Sequence, residues 1–411
     1  MSPVYEKFLS SRVNYIETSP IREAVSKIAA RSRVAKVISF AAGEPDPDVI
    51  PRELYGELAR EVFAREKKSV AYSPADGLPD LKAEIAGFMK EYEGVATTPE
   101  NIVVTLGGSQ AIDIVGRLML DPGDIVFVEN PSYVNTILVW RHYGVRTIGI
   151  PVDDEGMVTE RLEEAVKAMR GEGRKLKLVY TIPTGQNPSG VTMSMERRKH
   201  LLEIASRHDL LIVEDAAYNH LVYEPAGIKP LRAMDGEGRV LYIGSFSKIF
   251  GTGLRIGWLE APGEIVEKAR AAKGPMDMCA PVPSQYIVLN ILRNKLYRTI
   301  REKAVSEYRV KRDLMISAIE KHLPGLRHTR PVAGMFILLW LPGMLDGRVF
   351  ADQLLEKHNV AVIPAAAFYT DDSGRNVVRL NFSMSEKDLI EEGVKRMSML
   401  LKEMTGSSQA T

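Results

Sequence analysis

Apolar residues in this chain fall into short unbroken runs that alternate with longer stretches of helical period. The runs Ile102-Val103-Val104-Thr105, Ile125-Val126-Phe127-Val128, and residues 145–150, 176–182, 210–215, 240–245 and 255–260 read as strands. Runs that stay apolar, rather than alternating with polar residues, predict strands covered on both faces. Between them the period lengthens. Leu81, Ile85, Phe88, Met89 and Tyr92 share one helical face, a helix runs from Gly107-Gly108-Ser109-Gln110 to about Leu120, another follows Tyr133, and further ones fall near 159–170 and 194–208. Ahead of these, residues 1–20 read as an irregular arm. Ser19-Pro20-Ile21-Arg22-Glu23 has a serine cap, a first-turn proline and an acid, and so starts a helix that reaches about Arg33. Residues 37–40 form a short strand and 51–67 a helix, separated by the loop Ala41-Ala42-Gly43-Glu44-Pro45-Asp46-Pro47. From about residue 285 the pattern is helical, then strand-like at 335–340 and 377–382, then helical at 385–403. Strands alternating with helices predict an α/β fold: a mostly parallel seven-stranded sheet between helices, followed by a smaller α+β region.

Composition narrows the class. With 45% hydrophobic and 26% charged residues, the chain has the profile of a soluble globular protein. A net charge of +1 gives no reason to expect nucleic acid or an acidic membrane as partner. No stretch approaches transmembrane length and the first residues lack a signal-peptide core, so a cytoplasmic setting is expected. The single cysteine, Cys279, rules out an internal disulfide and reads as a small core residue. The seven histidines are scattered without ligand spacing, so no metal is expected.

The chemistry lies where ligands bind in open α/β sheets, beyond the carboxyl ends of the strands. One strand runs into Gly244-Ser245-Phe246-Ser247-Lys248, with Arg255 seven residues after the lysine. Hydroxyls, free backbone N–H groups and an arginine suit a phosphate, and a lysine beside a phosphate site suits pyridoxal phosphate, whose aldehyde condenses with an amine. Alone, the stretch is equally a surface turn with a solvated lysine. Gly107-Gly108-Ser109-Gln110 opens a helix and makes an anion site, or a plain tight turn. Asp215 ends a strand as a ring-nitrogen partner or a helix cap, Tyr133 and Tyr218 are ring contacts or packing residues, and Asn187 before Pro188 is a ligand or an Asx turn. Their convergence on one sheet edge favours a single ligand. Gly107, Gly108, Ser109, Ser245, Ser247 and Arg255 would serve its phosphate, and Asp215 its ring nitrogen. Asn187 and Tyr218 would serve its phenolic oxygen, Tyr133 its ring face and Lys248 its aldehyde.

These motifs, Asn187-Pro188-Ser189-Gly190, Asp215-x-x-Tyr218, Ser245-x-Ser247-Lys248 with Arg255, and the distal Val378-Arg379-Leu380-Asn381-Phe382, resemble those of the class I/II aminotransferases of the fold-type I pyridoxal-phosphate family. The likeness covers about 15 to 405. Ser19–Glu23, Ser39–Gly43 and Thr329-Arg330-Pro331-x-x-Gly334-Met335-Phe336 are most similar to the 2-aminoadipate/kynurenine subgroup. The resemblance implies three regions: an N-terminal arm and helix, 1–48, joined to the small domain; a large cofactor domain, 49–290; and a C-terminal small domain, 291–411. It implies Lys248 as proton carrier, Asp215 and Tyr218 beside it, Arg379 and Gly43 with Asn187 on the substrate carboxylate, and Gln110 among the cofactor residues. It implies a homodimer with shared active sites, Tyr72 crossing to the neighbouring phosphate. Arg22 would meet a distal carboxylate, or be a solvated helix residue. The implied reaction is transamination between an L-amino acid and a 2-oxo acid, 2-oxoglutarate/glutamate with 2-aminoadipate, aromatic or large neutral donors. The alternatives are a C–S β-lyase on the same scaffold and a ligand-sensing regulator domain, the latter disfavoured because only about 15 residues precede the fold and the charge is near zero.

Overall fold

The apolar runs become strands because each is buried on both faces. A computed structural model describes residues 3–224, 227–343 and 345–406; the first two residues of the expected arm and the last five of the C-terminal region lie outside the described residues. In chain order the strands are β1 (Ile38–Ser39), β2 (Ile102–Thr105), β3 (Ile125–Asn130), β4 (Arg146–Asp153), β5 (Gly156–Met157), β6 (Leu176–Thr181), β7 (Leu211–Asp215), β8 (Val240–Ser245), β9 (Gly257–Glu260), β10 (Phe336–Trp340), β11 (Val360–Ala361), β12 (Ile363–Pro364) and β13 (Val377–Asn381). The large sheet has eight strands in the order β2-β9-β8-β7-β6-β3-β4-β5. Seven are the strands of the sequence reading. The eighth, β5, is a two-residue antiparallel partner at the edge of β4. The strands β8, β7, β6, β3 and β4 run parallel, while β9 runs against both neighbours. Along β3, Val126 and Val128 enter one core and Ile125 and Phe127 the other, the period-two alternation of a covered sheet.

Register sets the working edge. Thr105, Gly257 and Ser245 pair across β2, β9 and β8, and Asp215 pairs with Ile243. The loops after β2, β7 and β8 therefore leave the sheet side by side. A second sheet, β10-β13-β12, is antiparallel, and β1 pairs with β11, which ties the first part of the chain to the last. Asn381 N–H also donates to the Phe40 carbonyl at 2.7 Å.

Three α-helices escaped the sequence reading, Gly263–Asp277, Gly347–His358 and the four-residue Leu231–Met234. The first contains Pro275, and only Val266, Ala269 and Lys273 are buried, so its apolar stripe is thin. The arm contains two short helical segments, Pro3–Glu6 and Ser11–Tyr15. The Pro20–Ser32 helix starts at Ser19 as expected, although the serine side chain makes no cap hydrogen bond.

Close packing at the lysine strand offers a test. A Cβ on Gly244 would lie 2.1 Å from the Trp258 ring on the paired strand. Gly244→Ala is expected to destabilise the fold by about 1–3 kcal/mol, read from the shift of a urea unfolding midpoint.

Candidate active site

A cavity of about 540 Å³ opens over the carboxyl edge of the large sheet, where the register brings the polar loops together. Lys248 reaches into it from the turn after β8, and its Nζ donates to the Gly43 carbonyl at 2.7 Å. Burial pushes the amine down to about 8; the charges of Arg379 and Arg255 act in the same direction and those of Glu44 and Asp215 oppose it. Asp215, at the end of β7, is buried. Burial raises its carboxyl above the usual range, while the Tyr180 hydroxyl at 2.8 Å and the Ala217 N–H at 3.1 Å stabilise its charged form. Tyr218 lies below the lysine, its ring centroid 5.8 Å from Nζ, and burial raises its phenol above the ordinary value.

Arg379 projects from β13 into the same cavity and is only 3% exposed. Its Nη2 donates to the Ala41 carbonyl at 2.7 Å and its Nη1 to Asn187 Oδ1 at 3.2 Å, while its Nε has no partner among the described residues. The guanidinium stacks over Phe336 at 4.4 Å and Phe368 at 5.1 Å. Burial lowers it to about 10. No carboxylate of the chain pairs with it among the described residues. A buried cation with an orphan N–H is an anion site, and its planar fork suits a carboxylate.

A second anion cradle lies at the β2–β9–β8 corner. Gly107 has φ +77°, and a Cβ there would lie 2.7 Å from Arg255 Nη2, so the arginine rests against bare backbone. Arg255 Nη1 donates to Ser247 Oγ at 3.4 Å and to the Thr252 carbonyl at 3.0 Å, and Ser245 Oγ accepts from Ser247 N–H at 3.2 Å. The Gly108–Met119 helix points its N-terminus here, with Gly108 and Ser109 on the cavity wall. Tyr133, hydrogen-bonded to Ser109, closes the opposite side. The donor set of this corner fits a phosphate. The acid Asp215, the polar pair Asn187 and Tyr218, and the amine of Lys248 fit the ring and aldehyde of pyridoxal phosphate.

Two of the expected residues, Gln110 and Tyr72, fall elsewhere, and a third, Arg22, lies at the rim. Gln110 turns its side chain away from the cavity, taking the Leu106 N–H at 2.9 Å and donating to Asp277 at 2.7 Å. Those two partners, the backbone before the helix and an acid at the end of the Gly263–Asp277 helix, hold the side chain off the anion-binding corner. Tyr72 is 78% exposed and lines a different groove beside Tyr286. Arg22 stands at the cavity mouth, exposed, its guanidinium without a partner among the described residues. Conversely, Tyr180 and Glu129 did not stand out in the sequence. Each is a polar residue inside a fully buried strand segment, and a buried polar group must have partners. Burial lifts the Glu129 carboxyl to about 7.

Residues 35–397 match the family described as aminotransferase class I and II. The chain belongs to the class I and II aminotransferases. It is 37% identical over 401 residues to aromatic-amino-acid aminotransferase 1 of Thermococcus litoralis, covering 97% of this chain and 95% of that one. An archaeal alanine:glyoxylate aminotransferase superposes with a TM-score of 0.95 at 50% identity, over 97% of this chain and 99% of that chain. The α-aminoadipate aminotransferase of Thermus thermophilus, complexed with N-(5′-phosphopyridoxyl)-L-leucine, superposes with a TM-score of 0.89 at 31% identity, over 98% and 99%. The protein is therefore an aminotransferase with the family's large mostly parallel sheet. No helix among the described residues is long and apolar enough to cross a membrane.

The electrostatics of this aminotransferase's lysine are open to measurement. In the cofactor-free protein, acylation of Lys248 followed by mass spectrometry is expected to titrate near pH 8. Because the Glu44 charge raises the amine, Glu44→Gln should move that midpoint further down. An upward or absent movement would contradict the assignment.

Proposed function

We propose that this cavity holds pyridoxal 5′-phosphate and that the protein transfers an amino group between an L-amino acid and a 2-oxo acid. The observation that carries the reading is Arg379, a buried cation with an unsatisfied N–H, in the same cavity as a lysine depressed to about 8. When bound, the cofactor supplies an aldehyde that links amines and a ring that takes up the electron pair left by a lost Cα proton. Lys248 would hold the cofactor at rest and, as a free amine, would carry the proton away from the substrate Cα. An amine near pH 8 is suited to that task. Asp215 keeps a proton on the ring nitrogen, and the added positive charge offsets the burial that now raises its carboxyl. Asn187 and Tyr218 hydrogen-bond the phenolic oxygen and Tyr133 covers the ring. Gly107, Gly108, Ser109, Ser245, Ser247 and Arg255 hold the phosphate. Arg379 takes the substrate carboxylate, with Gly43 leaving room: a Cβ there would touch Phe336 at 3.4 Å. Gln110 contributes no side chain.

The working unit in this reading is a homodimer. Tyr72 and Val70 are 78% and 81% exposed and lie outside the chain's own cavity. Exposed apolar side chains beside a groove mark an interaction surface, and Tyr72 would reach the partner's phosphate. The domains run 1–48 with 291–411, and 49–290; the β1–β11 pairing supports the union of the chain ends. The free Cys279 accords with a reducing, cytoplasmic setting.

The substrate pair we propose is glutamate/2-oxoglutarate with 2-aminoadipate, aromatic or large neutral donors, in line with the aromatic and aminoadipate relatives. Arg22 would read a distal carboxylate. A second reading, alanine with glyoxylate, is favoured by the relative at 50% identity and by Glu44, which sets a negative charge at the same mouth. A donor panel against both oxo acids separates the two, and pyruvate release from a cysteine conjugate without an oxo acid would instead point to the lyase.

With the cofactor loaded, an amino acid added alone should shift the visible absorbance band. No shift with any donor would refute the proposal. Arg379→Lys is expected to raise the amino-acid KM about 10- to 100-fold with a smaller change in kcat, since a point charge replaces a bidentate fork. Arg22→Ala should cost glutamate and aminoadipate about tenfold in kcat/KM and leave phenylalanine little changed. Equal losses would remove Arg22 from substrate recognition.

A further inference from the structure

We propose that Glu129 is a positioning residue that seats the Asn187 loop through Gln186, and thereby sets the geometry in which Arg379 receives the substrate. This rests on the function proposed above.

Glu129 is the penultimate residue of β3, 1% exposed, and does not line the cavity. Its oxygens accept from the Thr181 hydroxyl at 2.7 Å, the Ile182 N–H at 3.0 Å and the Gln186 side-chain amide at 3.1 Å. All three partners are donors, which matches the carboxylate, an acceptor-only group. Asp215 and Arg198 are the charged groups coupled to it. Gln186 carries the restraint onward. Its amide also donates to the Pro131 carbonyl at 2.6 Å, and its Oε1 accepts from the Ser189 N–H at 2.8 Å and the Ser189 hydroxyl at 2.6 Å. Its backbone carbonyl takes the Gly190 N–H at 2.6 Å. Asn187 thus sits between two anchored residues, 186 and 189.

The seat has little tolerance. A Cβ on Gly190 would lie 2.2 Å from the Phe336 carbonyl, and one on Gly185 would lie 2.5 Å from Gly334 N, so the loop backbone packs directly on the segment that leads into β10. Asn187 Oδ1 in turn accepts from Arg379. A chain of contacts therefore runs from an acid outside the cavity to the guanidinium inside it: Glu129, Gln186, the loop, Asn187, Arg379. Fully satisfied buried networks of this kind fix one geometry, and half-satisfied ones do not.

The test compares Glu129→Gln, Gln186→Ala and the double variant of the purified protein. Hydrogen exchange by mass spectrometry reads the 182–191 segment, and steady-state kinetics reads the amino-acid KM and kcat. Each single variant should speed exchange of that segment about tenfold or more and raise KM about tenfold or more, with a smaller effect on kcat. The double variant should match the worse single one, because both break the same chain. Exchange in the Lys387–Gly406 helix should not change. Unchanged loop exchange, an unchanged KM, or losses that multiply in the double variant each overturn the proposal. Gln186→Ala leaves Glu129 its Thr181 and Ile182 donors, and carries the test alone if Glu129→Gln does not fold. Should the wild type turn over no amino donor, the proposed function falls, while loop exchange and its non-additivity still decide the role of Glu129.

Discussion

Arg379 is buried with its charge unpaired by any carboxylate among the described residues, and the parts of the fold that meet at the cavity meet around it. Taking a guanidinium out of water is costly, and the protein compensates with a carbonyl, an amide oxygen and two aromatic faces. Those four groups come from four places: the loop after β1, the loop after β6, the start of β10 and the segment after β12. Asn187 alone of these follows a strand of the large sheet, and one N–H of the arginine is left unsatisfied among the described residues. A carboxylate arriving there completes a pair that the protein has already desolvated, so binding and closure of the polar network are one event.

The same burial organises the remaining charges. Lys248, Arg379 and Arg255 share one cavity, and burial together with the two guanidinium charges makes the lysine harder to protonate; Glu44 and Asp215 counter them. The result is a lysine amine near 8 beside a raised aspartate. Neither shift is a defect of packing. A ring cation would settle the acid, so the raised aspartate is complementary to the proposed ligand.

Much of this architecture was legible in the chain. The seven longer strands could be read because both faces of each are covered, which forces unbroken apolar runs. The edge strand β5 and the helix Gly263–Asp277 could not, since a two-residue strand has no pattern and a thin apolar stripe resembles a loop; the helix Gly347–His358 went unread although Phe350, Ala351, Leu354 and Leu355 make a regular buried face. Asn187, Asp215, Tyr218, Ser245, Lys248 and Arg255 could be named because polar residues beyond the ends of apolar runs stand out, and Arg379, in the middle of a strand, because its segment resembles the family's. The structure brings all seven to one cavity. Gln110 stood in the same motif as Gly107 and yet bonds Asp277, because a partner 167 residues away, not sequence proximity, decides where its side chain turns.

The sequence alone determined which residues are buried strands, which glycines can take left-handed backbone, and which side chains carry acid, base and cationic chemistry, because these follow from local pattern and residue type. Tertiary structure decided what those side chains face. Burial is a property of neighbours distant in the chain, and it is burial that lowers Lys248, raises Asp215 and Glu129, and leaves Arg379 without a counter-ion. It also placed Glu129 against Thr181, Ile182 and Gln186, hydrogen bonds across 52 to 57 residues of sequence that no local spacing announces.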